Sequence, residues 1–324
     1  MLRVWMPQPP AGTFLPALEA ALPAGIEFVS GADAPAGPVH ILVGGNPDEA
    51  LLEAHPGLHT LIIPYAGLPA RTRALLAAHP HVAVHNLHHN AAPTAEMAIT
   101  LMLAAAKHVV PFDAALRQGD WRPRYAPPRA RTLAGLTALV LGYGAVGRRV
   151  AHACAALGMQ VEAVRRRAGG EDPASGTRIH TVEQLDACLP RADVVHVCLP
   201  ATEATEGLLD GRRLALLPKG AILVNVGRGS IVAEDALYDA LHTGRLGAAG
   251  LDVWYAYPGR DGDRAHTLPA TRPFHELENV VLSPHRAGLT QENEAARAAC
   301  LAVLLHQAAR GTPLDNPVDL AAGY

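Results

Sequence analysis

The sequence predicts an α/β protein whose sheets are doubly wound, parallel and covered by helices on both faces. Apolar, β-branched runs alternate with Ala/Leu-rich amphipathic segments along most of the 324 residues, the alternation that builds βαβ units. The runs are apolar nearly throughout, as strands buried on both faces are. The Pro/Arg-rich stretch GDWRPRYAPPRAR (119–131) has no apolar period and reads as a surface connection before a second sheet. Two sheets in a chain of this length mean two domains.

Taken in order, strands are expected at LRVWM, IEFV, HILVG, LHTLIIP and HVAVH, all within residues 1–95. A long helix follows near 93–109. Asn90 or Thr94 can cap it, and Pro93 sits early enough for its missing N–H to cost little. The second sheet starts at Thr137 with TALVLG and continues through QVEAV, VVHVCL, AILVNV, AAGLDV and NVVLSPH to residue 288. A last helix, 291–310, carries an Ala/Leu face suited to packing back on the first domain.

Composition narrows the function. Half the chain is apolar and the formal net charge is −3, which argues against disorder and offers no basic surface for nucleic acid. The apolar stretch AEMAITLMLAAAKHVV is interrupted by Glu96 and Lys107 and is too short between them to span a bilayer. The opening MLRVWMPQPP has no core for a signal peptide. The four cysteines form no CxxC pair and sit in apolar runs, as free thiols in a reducing cytoplasm do. HNLHHN (85–90) has no carboxylate or cysteine at ligand spacing, so no metal site is expected.

The segment TALVLGYGAVGRRVAHACAALGMQVEAVRRR (137–167) carries the strongest motif. A strand ends at Leu141, a glycine-rich turn follows, a helix runs from it, and a second strand begins at Gln160. Gly142 permits the tight turn, Gly144 lets backbone approach a pyrophosphate, and Gly147 lets helix and strand pack closely. With Ala145 and Val146, these residues open a helix whose N–H groups and dipole suit phosphates. A dinucleotide site is expected. The second strand ends in Val164-Arg165-Arg166-Arg167 rather than in an acid. An acid would accept from ribose hydroxyls, whereas Arg165 and Arg166 can grip a 2′-phosphate. NADP is therefore favoured over NAD, a plain basic turn being the alternative.

At this point the sequence resembles the D-isomer-specific 2-hydroxyacid dehydrogenases over most of residues 60–290. CLPATEATEGLLDGRRLALLPKGAILVNVGRGSIVAEDALYDALHTGRLGAAGLDV (198–253) is similar to their signature segment, NVVLSPHRAG (279–288) to their catalytic-histidine segment, and GDWR and NAAPTAE to weaker positions. The resemblance implies a Rossmann cofactor domain, 98–289, inserted into a flavodoxin-like substrate domain, 1–97 plus 290–324. It also implies a cleft between the domains, a small anionic substrate and a homodimer. Arg228 would bind the substrate carboxylate and carbonyl oxygen, and His285 would be the acid/base; both residue types suit those tasks. Asp252 would face the nicotinamide, or else cap a local turn. Leu199, Pro200 and Thr205 would line the adenosine and phosphate edge, Val226 and Gly227 would offer backbone contacts, and Ala287 and Gly288 would lie beside the nicotinamide. PYAGLP (64–69) occupies the family's carboxylate loop, with N–H donors at Ala66, Gly67 and Leu68.

The likeness fails at one position. The family carries a glutamate five residues after the Asp, bonded to the catalytic histidine. Here Tyr257 stands there, and GRDGDRAHTLPATR lengthens the interval to His285. Glu276 and Glu278 belong to the lead-in to the last strand and fall outside the dyad. A phenol gives His285 no charge stabilisation, so its pKa should be lower than in glutamate-bearing relatives. Trp254, Tyr255 and Tyr257 either shape a substrate pocket or simply pack. The activity expected is hydride transfer between NAD(P) and a small 2-oxoacid or D-2-hydroxyacid. The rivals are oxidation of a small aldehyde, formate-like or phosphonate-bearing anion, and a nucleotide sensor without catalysis.

Overall fold

The computed structural model describes residues 1–166 and 169–324, except for the side chain of Asp261. The chain divides into two compact units: Met1–Asn90 with Leu289–Tyr324, and Ala91–Gly288.

The first unit runs β1 (Leu2–Met6), α1 (Phe14–Glu19), β2 (Ile26–Ser30), β3 (Ile41–Val43), α2 (Glu49–Ala54), β4 (Thr60–Ile63), α3 (Ala70–Ala77) and β5 (Ala83–Asn86). Its sheet is parallel in the order β2-β1-β3-β4-β5, which is the flavodoxin-like winding. The C-terminal helix of the chain, Asn293–Ala309, returns to this unit. Its Ala298, Leu301, Ala302, Leu304 and Leu305 pack with Phe14 and Leu18 of α1 over Val4, Ile41 and Ile62. The Ala/Leu face expected to dock there does so.

The second unit opens with α4 (Ala91–Lys107), α5 (Val109–Arg117) and α6 (Arg122–Tyr125). It continues as β6 (Thr137–Leu141), α7 (Ala145–Ala156), β7 (Gln160–Val164), β8 (Gly170–Asp172), β9 (Thr177–His180), α8 (Leu185–Cys188), β10 (Val194–Val197), α9 (Gly211–Leu216), β11 (Ala221–Asn225), α10 (Glu234–His242), β12 (Leu246–Leu251) and β13 (Val280–Leu282). With the chain-ending helix as α11, that completes the elements. The sheet order is β13-β12-β11-β10-β6-β7-β9-β8. Read from β9, this is the dinucleotide-fold order extended by one strand, with its switch point between β6 and β10. All pairings are parallel except β8 with β9.

The expected domain boundary at 97/98 falls inside α4. The whole helix belongs to the second unit because one face, including Ala98, Leu101, Met102 and Ala105, packs on that unit's sheet. Gly250 in β12 makes the approach possible, since a Cβ there would lie 2.7 Å from Cβ of Leu101. The connection 119–131 holds the short α6, and the β8–β9 hairpin was not expected. Among the described residues no single helix is long and apolar enough to cross a membrane; α4 and α5 reach that composition only as a pair bent by 66°.

Two buried polar groups stand out in this core. Glu162 on β7 is 1% exposed and meets Arg178 at 2.8 Å, Arg191 at 2.7 Å and His180 at 3.2 Å. Burial opposes its charge, and the guanidiniums more than offset that, so its pKa is lowered. His196 on β10 is fully buried, with Nε2 3.3 Å from Met102 Sδ and 3.7 Å from Cys154 Sγ. Burial holds its pKa down to about 4.

Candidate active site

Every residue expected at the carboxyl edge of the second unit's sheet lies on one of the segments that follow β6, β7, β10, β11, β12 and β13. After β6, Gly142 adopts φ 95, and a Cβ on it would sit 2.8 Å from the Cys198 carbonyl oxygen at the end of β10. A Cβ on Gly147 would collide with the carbonyl of Gly142. Gly144 is the N-cap of α7, with no side-chain cap on the helix and nothing where its Cβ would point. Among the described residues the first-turn N–H groups of Ala145, Val146 and Gly147 donate to no protein acceptor. Unsatisfied donors and a positive dipole end fit a dinucleotide pyrophosphate.

Arg165 and Arg166 are exposed at the end of β7, with the Arg165 N–H donated to His180 O at 3.0 Å. Arg167 lies outside the described residues. The sequence reading passed over Tyr143, which is 8% exposed and donates its hydroxyl to Asp172 Oδ2 at 2.6 Å.

Along the β10 and β11 ends the expected roles change in detail. Thr205 donates its hydroxyl to Pro200 O at 2.7 Å and accepts from the Thr202 N–H, so it staples the loop that follows Leu199. Val226 and Gly227 were expected to offer backbone contacts; their N–H groups bond Val197 O at 3.2 Å and Asn225 Oδ1 at 3.0 Å. Asn225, 1% exposed, also donates to Arg228 O. This buried amide ending an apolar strand is a positioning group that the sequence reading missed. Arg228 itself is exposed, in extended conformation, with Nη1 on Gly227 O at 2.7 Å.

His285 follows β13 in a turn closed by its own N–H on Ser283 O, and it has φ 57. Asp252, just past β12 and 1% exposed, accepts from Ser283 Oγ at 2.5 Å, Arg286 N at 2.8 Å and Ala287 N at 3.0 Å. Its carboxylate thus braces the histidine turn, as the local-cap alternative has it. The same bonds take up the Ala287 N–H; Gly288 is half-buried beside it. Trp254 Nε1 donates to Ser283 O at 2.8 Å. Partial desolvation lowers the His285 pKa, Arg228 lowers it further, and Asp252 opposes both.

Tyr257 lies over the imidazole with ring centroids 5.6 Å apart, and its hydroxyl accepts from Trp254 N at 3.1 Å. The two rings are tilted by 55° to each other. Trp254 and Tyr255 pack on Phe274 and are structural; Tyr257, 47% exposed, faces outward. Glu278 is at the amino end of β13, paired with Arg129, and does not replace the dyad acid.

In the first unit, Asn86 Nδ2 donates to Ala66 O at 2.8 Å. Among the described residues the N–H groups of Ala66, Gly67 and Leu68 donate to no protein acceptor, as an anion-binding loop requires. Of the HNLHHN histidines, His89 accepts from Arg297 Nε at 3.3 Å, and burial and Arg297 take its pKa to about 4. Glu162, His180 and Cys188 bring ligand atoms within 4.8 Å of one another, but Arg178 and Arg191 already supply the positive charge there. A hollow of about 430 Å³ lined by His242, Gly247, Glu278 and Asn279 lies at the amino edge of the sheet, away from these loops.

A two-domain dinucleotide fold with an arginine after β11 and a histidine after β13 at the same sheet edge defines an oxidoreductase-like class, and comparison with known proteins agrees. The family described as "D-isomer specific 2-hydroxyacid dehydrogenase, NAD binding domain" matches residues 99–287. The chain belongs to the D-isomer-specific 2-hydroxyacid dehydrogenase family. It is 36% identical over 232 residues to D-3-phosphoglycerate dehydrogenase of Archaeoglobus fulgidus, covering 71% of this chain but only 41% of that protein. It is also 36% identical over 232 residues to glyoxylate reductase of Aeropyrum pernix, covering 70% and 66%. A solved D-isomer specific 2-hydroxyacid dehydrogenase from Xanthobacter autotrophicus Py2, in complex with NADPH and MES, superposes with TM-score 0.78 at 29% identity, covering 100% of this chain and 99% of that one.

Proposed function

We propose that the protein is an NAD(P)-dependent oxidoreductase that transfers a hydride between nicotinamide and a small 2-oxoacid or D-2-hydroxyacid. One observation carries the reading: Arg228 and His285 stand on the same sheet edge as the glycine loop, close enough for the guanidinium to act on the imidazole. Bound nicotinamide would supply or take the hydride at the substrate carbon. Arg228 holds the carboxylate and polarises the carbonyl as negative charge grows on its oxygen. His285 gives an imidazole proton to that oxygen in reduction and takes it back in oxidation. The Ala66–Leu68 loop is a carboxylate site. NADP is favoured by Arg165 and Arg166, and the 29%-identical relative that carries NADPH supports this. α5 buries none of its residues, and Val109, Val110 and Leu116 on α5, Trp121 at the N-cap of α6 and Tyr125 on α6 are exposed; this apolar surface is the proposed seat of a homodimer.

The test is a screen of glyoxylate, hydroxypyruvate, pyruvate and bulkier oxoacids with NADH and NADPH. His285→Asn is expected to lower kcat by about 10²–10⁴-fold with cofactor binding retained. A second reading, oxidation of a small aldehyde or a formate-like or phosphonate-bearing anion, is favoured by the neutral ring at Tyr257. It predicts turnover of those substrates and none of the oxoacids. Micromolar cofactor binding with no turnover of any substrate would identify a sensor instead.

A further inference from the structure

We propose that the Tyr143–Asp172 hydrogen bond is a positioning latch, which fixes the arginine-bearing turn after β7 to the glycine loop and thereby sets discrimination for a 2′-phosphate. The inference rests on the reading that Arg165 and Arg166 meet that phosphate.

Tyr143 lies between Gly142 and Gly144, so its backbone is part of the pyrophosphate loop. The carboxyl ends of β6 and β7 adjoin, with Gly142 N on Val164 O at 2.9 Å. Arg165 and Arg166 directly follow β7, and Arg165 N is bonded to His180 O at the end of β9. A Cβ on Gly169, just before β8, would collide with the Ile179 carbonyl. β8 is a three-residue edge strand paired in the sheet only with β9, so on its own the hairpin would hold Arg165 weakly. Asp172 supplies the missing tie. It receives the Tyr143 hydroxyl at 2.6 Å and Ala174 N at 3.0 Å, with His152 Nε2 at 3.5 Å. Ser175 Oγ lies 3.4 Å from the same hydroxyl and 2.7 Å from Thr177 Oγ1. Arginine forks bind phosphate best when their backbone is ordered beforehand, because less freedom is lost on binding.

Binding of 2′,5′-ADP and of 5′-ADP to the full chain, measured by calorimetry, separates the possibilities. The wild-type protein is expected to prefer 2′,5′-ADP. Tyr143→Phe should weaken 2′,5′-ADP by about tenfold, the scale of one charge-assisted hydrogen bond, and leave 5′-ADP within about twofold. Asp172→Ala, on the hairpin and checked by thermal melting, should behave in the same way, whereas Asp172→Asn keeps an acceptor for the phenol and most of the preference. A wild-type protein indifferent to the 2′-phosphate overturns the NADP reading and the latch with it. A preference that survives both Tyr143→Phe and Asp172→Ala, or equal weakening of both ligands, overturns the latch alone.

Discussion

His285 adopts a left-handed backbone conformation, which costs a side-chain-bearing residue on the order of 1–3 kcal/mol. Asp252 and Trp254 hold it there through four hydrogen bonds to residues 283, 286 and 287. The imidazole is consequently held where Arg228 acts on it, and among the described residues no carboxylate is hydrogen-bonded to it. Reduction needs the protonated ring. Because burial and Arg228 lower the pKa, kcat/KM for reduction should fall as pH rises through a value below about 6.5, and oxidation should gain over the same interval. A reductive limb breaking above about 7.5 in a pH–rate profile would contradict this. Tyr257→Glu places an acid over the ring and should move that limb upward by about one pH unit or more. Neither the left-handed turn nor the contact of the two rings was legible beforehand. Both depend on what β12 and β13 bring together across a long loop, and sequence spacing does not report φ.

At the level of strands and helices the reading went further. Gly142, Gly144 and Gly147 were legible because each answers a local steric demand inside one strand–turn–helix unit. The apolar strands were legible because burial on both faces leaves a continuous signature. The β8–β9 hairpin was not, since its residues Gly170, Glu171 and Asp172 have neither apolar alternation nor high strand propensity, and it forms by pairing at the sheet edge. Asp172 had no visible role for the same reason: Tyr143 is distant in sequence. Glu162 shows the reverse case, a charge placed mid-strand in QVEAV whose partners come from β9 and from the turn after α8. Glu162→Gln leaves both guanidiniums without their carboxylate. They remain half-exposed, so the expected loss is about 2 kcal/mol rather than the full cost of a buried broken pair, measurable by denaturant unfolding.

The two units are interleaved in sequence, with both chain ends in one and the middle in the other. Acid should affect them through different histidines, His89 in the first and His196 in the second. Each has a folded-state pKa of about 4, below the ordinary value of 6.5, so each is held neutral. The stability each neutral ring permits is present above pH 6.5 and is lost as pH falls toward 4. For His196, fully buried, the loss approaches about 3 kcal/mol. Thermal melts between pH 7 and pH 4 should show a steeper decline in the wild-type protein than in His196→Met, whose thioether is insensitive to acid. Identical slopes would exclude His196 as a source of acid lability.

The edge strand β8 has a consequence of another kind. A parallel sheet that ended at β9 would present a row of unpaired backbone groups from Thr177 to His180, a template for another chain. β8 covers that row with three residues, runs antiparallel, and carries Glu171 and Asp172. Short, charged edges resist strand addition. Removing β8 should therefore cost solubility more than fold, with the protein scattering light on concentration while its helical circular dichroism persists.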